Sequence, residues 1–298
     1  MKDKNGWITR RDFMRGTVGM ALGTSLMGFE WAFGASNQTH SSLVTVVRDE
    51  KVIDITGSTI DTKILRKMLD KTVIHATGTK NIKDAWKQVV SQEDKIGIVP
   101  TGSLNPTHWE LFYAIEDSLM EEGIARENII NAQGQLHSYG IDLCTILVSI
   151  PALKAHWVTG IGTVLKNYIM FSGRPAWYHG ENSSKLGEIW HHPKVKGKTR
   201  LILVDALFPL CDRGPQVNPR YRWAYNGLIA GTDPVAVEAV CLHILEEKRA
   251  TLKGRPWPIS PPPICLEAAD KIYKLGTSNL NEIKINLVGW QKDHLLPI

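Results

Sequence analysis

The stretch ALKAHWVTGIGTVLKN, residues 152–167, gathers cationic and imidazole side chains around a turn that contains glycine. Lys154 and His156 come before this turn, and Lys166 and Asn167 come after it. Directly upstream lies the apolar run TILVSI, which is typical of a central strand covered on both faces. Ligands of parallel sheets bind beyond the carboxyl ends of the strands. The pattern therefore predicts capture of a carboxylate or a phosphate by cations and backbone amides.

The turn itself is predicted to open a helix over residues 160–170. The amino end of a helix carries free N–H groups and a partial positive charge, and glycine lets a ligand approach these groups closely. The predicted ligand-binding residues of this stretch are Lys154, Thr159, Gly160, Gly162, Lys166 and Asn167. In the alternative interpretation, the last two of them close the helix and the lysines are solvated. The spacing matches neither the GxGxxG pattern nor the phosphate-binding loop of nucleotide-binding proteins.

Two histidines and two aspartates complete the predicted pocket. His156 and His179 are candidates for proton transfer or for metal binding, because imidazole titrates near neutrality. Asp205 is the third candidate for the catalytic and metal-binding groups, because it ends the apolar run LILVD, where a carboxylate can orient a ligand, a lysine or a metal ion. Asp233 is expected to cap the helix that follows it and to contact the ligand in addition. A histidine that merely stacks in an aromatic loop is the alternative for His179.

Short apolar runs alternate with helical patterns along the chain. This alternation predicts an α/β fold of three layers, in which a mostly parallel sheet carries helices on both faces and irregular aromatic loops at the carboxyl ends of its strands. The predicted strands cover residues 43–48, 95–99, 127–131, 144–150, 200–206 and 283–288. The predicted helices cover residues 61–69, 82–90, 107–122, 160–170, 234–247 and 264–275. Thr107 and Glu110 are expected to form a capping box at the start of the third helix.

Paired arginines near the N-terminus predict export by the twin-arginine route. Arg10 and Arg11 precede a polar residue and the apolar stretch 16–28, which is too short to span a bilayer. Residues 1–35 are therefore interpreted as a signal peptide, and residues 36–298 as a mature α/β domain in the periplasm or another extracytoplasmic compartment. The twin-arginine translocation machinery is the expected partner, with no stable membrane insertion after processing. A basic amphipathic N-terminal helix is the alternative.

The composition excludes some classes of function and leaves others open. A net charge of +5 is too mild for a nucleic-acid-binding protein, which normally carries a dense basic stripe. The spacing of the cysteines fits no compact zinc or iron–sulfur motif, although an oxidising compartment would permit a disulfide. These cysteines are Cys144, Cys211, Cys241 and Cys265.

Several motifs in this order resemble the family catalogued as domain of unknown function 362. They are IPALKAHWVTGIGTVLKN, Tyr178-His179, LILVDAL, Gly214-Pro215 and IAGTDPVAVEAV, and the resemblance extends over residues 44–245. It implies an α/β protein of bacteria and archaea that sometimes carries a twin-arginine signal and is often described as iron–sulfur-associated. The matched positions coincide with the candidates above: Lys154, His156, Thr159, Gly162, Lys166, Asn167, His179, Asp205, Gly231 and Asp233.

This sequence departs from the family in two respects. Many relatives carry a cysteine-rich ferredoxin-type module, and this chain shows no such cysteine pattern, which argues against direct cluster binding. Relatives also tend to have a lysine and an asparagine after the early strand, where this chain reads IGIVPTGSLNP over residues 96–106.

Two functions are therefore carried forward. The first is binding of an anionic small molecule, and a reaction on it, in a pocket of lysine, histidine and aspartate. The second is a non-catalytic accessory role for a metal or iron–sulfur redox system. The sequence specifies neither the substrate nor the reaction nor a cofactor.

Overall fold

The computed structural model describes residues 42–133 and 140–298, all of which belong to one compact unit. The predicted signal peptide, residues 1–35, lies outside the described residues, so export stays a prediction. None of the described helices combines the length and the apolarity that a membrane crossing requires.

The described strands form one nine-stranded sheet, and its spine runs in the order β3-β2-β4-β7-β8-β1-β9. The strands are β1 Ser42–Arg48, β2 Ile96–Pro100, β3 Ile129–Asn131, β4 Ile146–Ile150, β5 Ala152–His156, β6 Gly160–Ile161, β7 Thr199–Leu210, β8 Gly227–Gly231 and β9 Ile283–Gly289. Along the spine all pairs are parallel except the two that β8 makes. The sequence-based prediction of a mostly parallel α/β sheet is confirmed.

Helices cover both faces of this sheet, because its central strands are apolar on both faces. They are α1 Thr62–Thr77, α2 Ile82–Val89, α3 Trp109–Glu121, α4 Gly140–Leu143, α5 Leu186–Trp190, α6 Pro234–Lys253 and α7 Ile264–Lys271. Leu203 of β7 packs in the core of α1, α2 and α3, whereas its neighbour Val204 packs in the core of α5, α6 and α7. Successive side chains of a strand point to opposite faces, so one apolar strand supplies two cores.

The predicted helix over residues 160–170 is wrong. Gly160 has a φ of 77°, and it pairs with His156 in the antiparallel hairpin of β5 and β6. Only glycine adopts this φ without strain, and a Cβ atom here would lie 2.7 Å from the carbonyl oxygen of Pro261. The chain therefore turns back sharply where a helix was expected, and this turn offers no helical amino end to a ligand.

The predicted capping box at the start of α3 is also wrong. The hydroxyl of Thr107 donates to the carbonyl oxygen of Ile150 at 2.6 Å and accepts from the amide of Thr101 at 2.9 Å. Long-range partners have replaced the local ones, and α3 begins only at Trp109. Thr107 thereby ties the loop between β2 and α3 to the end of β4.

Strand β8, which the sequence analysis missed, decides where Asp233 lies. Because β8 runs antiparallel to β7 and β1, its carboxyl end lies beside their amino ends. Asp233 follows β8 and caps α6, accepting from the amides of Val235 and Ala236 at 2.8 and 2.9 Å. Its other carboxylate oxygen accepts from Ser42 and Thr277. The expected cap is present, but it lies at the opposite end of the strands from the predicted pocket.

Candidate functional site

A cavity of about 290 Å³ opens where β2 and β5 end. Among the described residues its lining holds two lysines and two histidines and neither aspartate nor glutamate. The lining residues are Pro100, Thr101, Gly102, Ser103, Leu104, Gln133, Lys154, His156, Gly162, Lys166, Asn167, Ile169, Met170, His179 and Pro215. The local charge is therefore positive.

Most of the residues that the sequence singled out meet in this cavity. The lining includes Lys154, His156, Gly162, Lys166, Asn167 and His179. Thr159 and Gly160 do not line it, because the hydroxyl of Thr159 turns inward and donates to the carbonyl oxygen of Ile161 at 2.5 Å. The sequence analysis left the role of residues 100–104 open, and they form one wall.

Lys154 holds the loop between β2 and α3 in place. Its Nζ donates to the carbonyl oxygens of Leu104 at 2.8 Å, Asn105 at 3.1 Å and Ser103 at 3.4 Å. Leu104 and Asn105 have φ values of 53° and 66°, a left-handed turn that points these oxygens toward the lysine. Burial and the charge of Lys166 lower the pKa of Lys154 to about 7, while the three carbonyl oxygens favour its charged form. The ammonium of Lys154 therefore stabilises the loop that forms one wall of the cavity, and its hydrogen-bond donors are engaged by the protein.

Lys166 is the cation that lacks a partner. Its Nζ makes no hydrogen bond and no ion pair with any described residue, although the side chain is largely buried. Burial lowers the pKa of Lys166 to about 8. Its charge in turn contributes to lowering the pKa of His156 and of His179, which shows that it acts on the whole cavity.

His156 has a tautomer dictated by the backbone. Its Nδ1 accepts hydrogen bonds from the amides of Val158 at 3.1 Å and Thr159 at 3.3 Å. Burial, followed by the charge of Lys166, lowers the pKa of His156 to about 3, so the ring is neutral at pH 7. Its single proton must then reside on Nε2. Gly162 makes room for this ring, because a Cβ atom there would lie 3.1 Å from the Cβ of His156.

His179 has the opposite tautomer. Its Nδ1 lies 2.8 Å from the carbonyl oxygen of Pro175, which can only accept, so Nδ1 carries the proton. Burial and the charge of Lys166 lower the pKa of His179, which keeps it neutral at pH 7 and leaves a lone pair on Nε2. The rings of His156 and His179 stack with centroids 5.7 Å apart.

Asn167 positions the segment that carries Lys166. Its Nδ2 donates to the carbonyl oxygen of Val99 at 2.9 Å and to the hydroxyl of Ser149 at 3.0 Å. Its Oδ1 accepts from the hydroxyl of Thr101 at 3.3 Å. These contacts tie the segment to β2 and β4, so the amide group is engaged by the protein.

Asp205 does not line the cavity. Its Oδ2 accepts from the backbone amide and from Nδ1 of His108, both at 2.7 Å, and its Oδ1 accepts from the amide of Leu207 at 3.1 Å. Asp205 raises the pKa of His108, and His108 lowers the pKa of Asp205 against the opposing effect of burial. The pair fastens the start of α3 to β7. The proposed catalytic role of Asp205 is replaced by this structural one.

Replacing Asp205 with asparagine should lower the free energy of unfolding by about 2 kcal/mol, because charged hydrogen bonds are lost. The contribution of Asp205 to stability is lost as the pH falls through its lowered pKa. The contribution of His108 to stability is lost as the pH rises through its raised pKa. The effect should therefore be largest at about pH 4 to 6.5. Urea titrations check this, with the exposed Asp142→Asn as control. Unchanged stability together with lost anion binding would restore the catalytic interpretation.

The described residues do not assemble the predicted metal site. No group of three His, Cys, Asp or Glu side chains within residues 42–133 and 140–298 could hold one metal ion. Binding of a metal through Nε2 of His156 would move the ring proton to Nδ1, where two amide N–H groups already point. The four cysteines have free thiols and are buried, and burial raises the pKa of Cys144 and Cys211 to about 11.

A larger cavity of about 650 Å³ lies at the ends of β1 and β9. Its most buried cation, Arg48, donates to the carbonyl oxygens of Tyr225 and Lys292 at 2.9 and 2.6 Å. The guanidinium also lies 4.3 Å from the ring centroids of both Tyr225 and Trp290. Arg48 thus fastens residues 290–292 to β1, and none of the candidate site residues lies here.

Residues 135–243 match the model of a family described as Domain of unknown function (DUF362), which confirms the resemblance over this segment. The segment contains all of the candidate site residues, from Lys154 to Asp233. Comparisons with curated proteins and with solved structures gave no match. Because the family description names no activity, the function has to be argued from the geometry.

Proposed function

We propose that this chain, in which residues 135–243 match the family model, binds a small anionic molecule in the cavity at the ends of β2 and β5, with Lys166 as the counter-charge. The observation that supports this most directly is the unpartnered ammonium of Lys166 within a lining that holds no acidic residue among the described ones. An ammonium on a partly buried side chain is less well solvated than one at the surface, and an anion that meets it would gain a charge-assisted hydrogen bond.

The surroundings of Lys166 suit an anion in two further ways. Nε2–H of His156 is a neutral donor that can bond a ligand oxygen without adding charge. The ammonium of Lys154, held by three carbonyl oxygens, adds to the positive potential of the cavity. A volume of about 290 Å³ lies at the lower end of the range for small-molecule pockets, so the proposal concerns a small metabolite.

The pH dependence of anion binding follows from the titration of Lys166. Because the pKa of Lys166 is lowered to about 8, its charge is present at pH 7 and is largely gone at pH 9.5. Anion affinity should therefore decrease above pH 8, and loss of the Lys154 charge, whose pKa is lowered to about 7, should add to the decrease. A bound anion would raise this pKa, so the decrease should set in at a somewhat higher pH when the ligand is saturating.

Titration calorimetry of the full chain tests the proposal, with acetate, lactate, phosphate and sulfate as probes and tetramethylammonium as the cationic control. At low ionic strength we expect at least one anion to bind with a Kd of about 1 mM or tighter. We expect no binding of the cation. Failure of every anion to bind, or an affinity that is equal at pH 7 and pH 9.5, would refute the proposal.

A further inference from the structure

We propose that this cavity selects an oxyanion that also carries a hydroxyl group, such as a 2-hydroxycarboxylate, over the same anion without the hydroxyl. The inference rests on the proposed anion binding and specifies its ligand class. It follows from the two histidine rings, which present one donor and one acceptor to the same cavity.

The donor is Nε2–H of His156. Two backbone amides occupy Nδ1 of this ring, at 3.1 and 3.3 Å, and a backbone amide cannot become an acceptor. The proton is therefore held on Nε2 whatever ligand arrives. Nε2 has no partner among the described residues, so its N–H is available to a ligand oxygen.

The acceptor is Nε2 of His179. The carbonyl oxygen of Pro175, 2.8 Å from Nδ1, requires a proton on Nδ1 and leaves the lone pair on the other nitrogen. Nε2 of His179 likewise has no partner among the described residues. A ligand that offers only acceptors would leave this lone pair to water.

The two rings are close enough to contact one small ligand. Their centroids are 5.7 Å apart, their planes differ by 22°, and both rings line the cavity together with Lys166. A simple carboxylate can accept from Lys166 and from His156, but it offers nothing to His179. A hydroxy acid supplies the missing O–H. Because His179 is only partly buried and water can reach its Nε2, the gain is that of one ordinary hydrogen bond, about 0.5 to 1.5 kcal/mol, which corresponds to about 2- to 12-fold in affinity.

Hydrogen phosphate shares this chemistry, because it carries an O–H beside its charged oxygens. Sulfate has the same shape and lacks the proton at neutral pH. Two matched pairs of probes therefore distinguish the possible sources of the ligand: lactate against propionate, and phosphate against sulfate.

Calorimetric titration of the full chain at pH 7 with the four probes tests the inference. We expect lactate to bind about 2- to 12-fold more tightly than propionate. His179→Phe should lower the affinity for lactate to that for propionate and leave propionate unchanged. His156→Phe should weaken both acids alike, since both share the carboxylate that Nε2–H of His156 bonds.

Long-range ¹H–¹⁵N NMR provides a readout that depends on no ligand and on no variant. We expect the proton of His156 on Nε2 and the proton of His179 on Nδ1, and a proton on Nδ1 of His156 would overturn the inference. Equal and measurable binding of lactate and propionate, together with equal binding of phosphate and sulfate, would refute hydroxyl selection and leave anion binding standing. No binding of any probe would refute the proposed function itself.

The pattern between the pairs identifies the source of the ligand. Preference for lactate over propionate supports a hydroxycarboxylate. Preference for phosphate over sulfate, with lactate and propionate equal, supports the shared O–H chemistry and assigns it to a phosphate.

Discussion

Replacing Lys166 with methionine should weaken the binding of anionic probes by about 10- to 100-fold, since hydrogen bonds to a charged group contribute about 1.5 to 3 kcal/mol. Methionine preserves most of the length of the side chain and removes the charge. Because Lys166 makes no contact with an acidic group among the described residues, no ion pair within the protein is broken. The loss of affinity should therefore occur without a loss of stability.

The same substitution should stabilise the unliganded protein. A lysine whose pKa is lowered to about 8 binds its proton less tightly in the folded state than in the unfolded state. Below pH 8 both states are protonated and the full cost of burying the charge is present, and this cost fades as the pH rises toward the ordinary lysine pKa of about 10.4. We expect the free energy of unfolding of the wild type to rise over that interval by about 1 to 3 kcal/mol more than that of the variant. The rise that Lys154 causes, whose pKa is lowered as well, is common to both proteins.

Calorimetry at pH 7 and urea titrations from pH 7 to 10 measure both effects. Lys185→Met is the matched control, because this lysine lies on the surface and its ion pair with Glu181 is loose at 3.7 Å. The control should bind the probes as the wild type does. A Lys166→Met variant with unchanged affinity, or with a large loss of stability, would show that Lys166 has a structural role instead.

The second large effect is expected at Glu238, which lies buried beneath the segment that carries Lys166. Its Oε2 accepts from the amide of Val164 at 2.7 Å, and its Oε1 has no hydrogen-bond partner among the described residues. Burial raises the pKa of Glu238 to about 7, against the opposing effect of the Val164 amide. The folded protein therefore binds this proton more tightly than the unfolded chain does.

The direction of the pH effect follows from this difference. Below about pH 4.5 both states are protonated, and Glu238 causes no change. Between about pH 4.5 and pH 7 the unfolded chain loses the proton while the folded protein keeps it, so stability falls as the pH rises. The fall should amount to about 3 kcal/mol by pH 7, at about 1.4 kcal/mol for each unit of pKa shift.

Glu238→Gln removes the titration and keeps an acceptor for Val164. The decline in urea midpoint between about pH 4.5 and pH 7 should disappear in this variant. Glu247→Gln, on the exposed face of the same helix, should retain it. If both variants decline like the wild type, the carboxyl group of Glu238 does not have the raised pKa.

Much of the architecture could be read from local patterns. The runs TILVSI and LILVDA predicted β4 and β7, because a strand buried on both faces is apolar throughout. Asp233 followed by Pro234 predicted the start of α6, because an aspartate can cap a helix and proline needs no amide hydrogen at the first helical position. The prediction failed at β8, since the short run GLIAG contains nothing that specifies the direction of its neighbours.

The candidate site, too, was predicted from the sequence only in part. Lys154, His156 and Lys166 were found from their types and from their place after a strand. Their individual roles were not predicted, because nothing in the sequence distinguishes the two lysines. The carbonyl oxygens that engage Lys154 come from a loop about 50 positions earlier in the chain, so no pattern within the motif could reveal them. Likewise, no local signal paired Asp205 with His108.

By itself, then, the amino-acid sequence determined the layers of the fold and the segment in which cations and imidazoles cluster, since both depend on the order and spacing of residues along the chain. The tertiary structure alone decided which cation lacks a partner, which carboxylates are occupied elsewhere, and which nitrogen of each histidine holds the proton. The physical reason is that a charge or a ring nitrogen is satisfied by whatever group folding places within about 3 Å of it. For Lys154, Asp205 and Asp233 those groups come from distant parts of the chain.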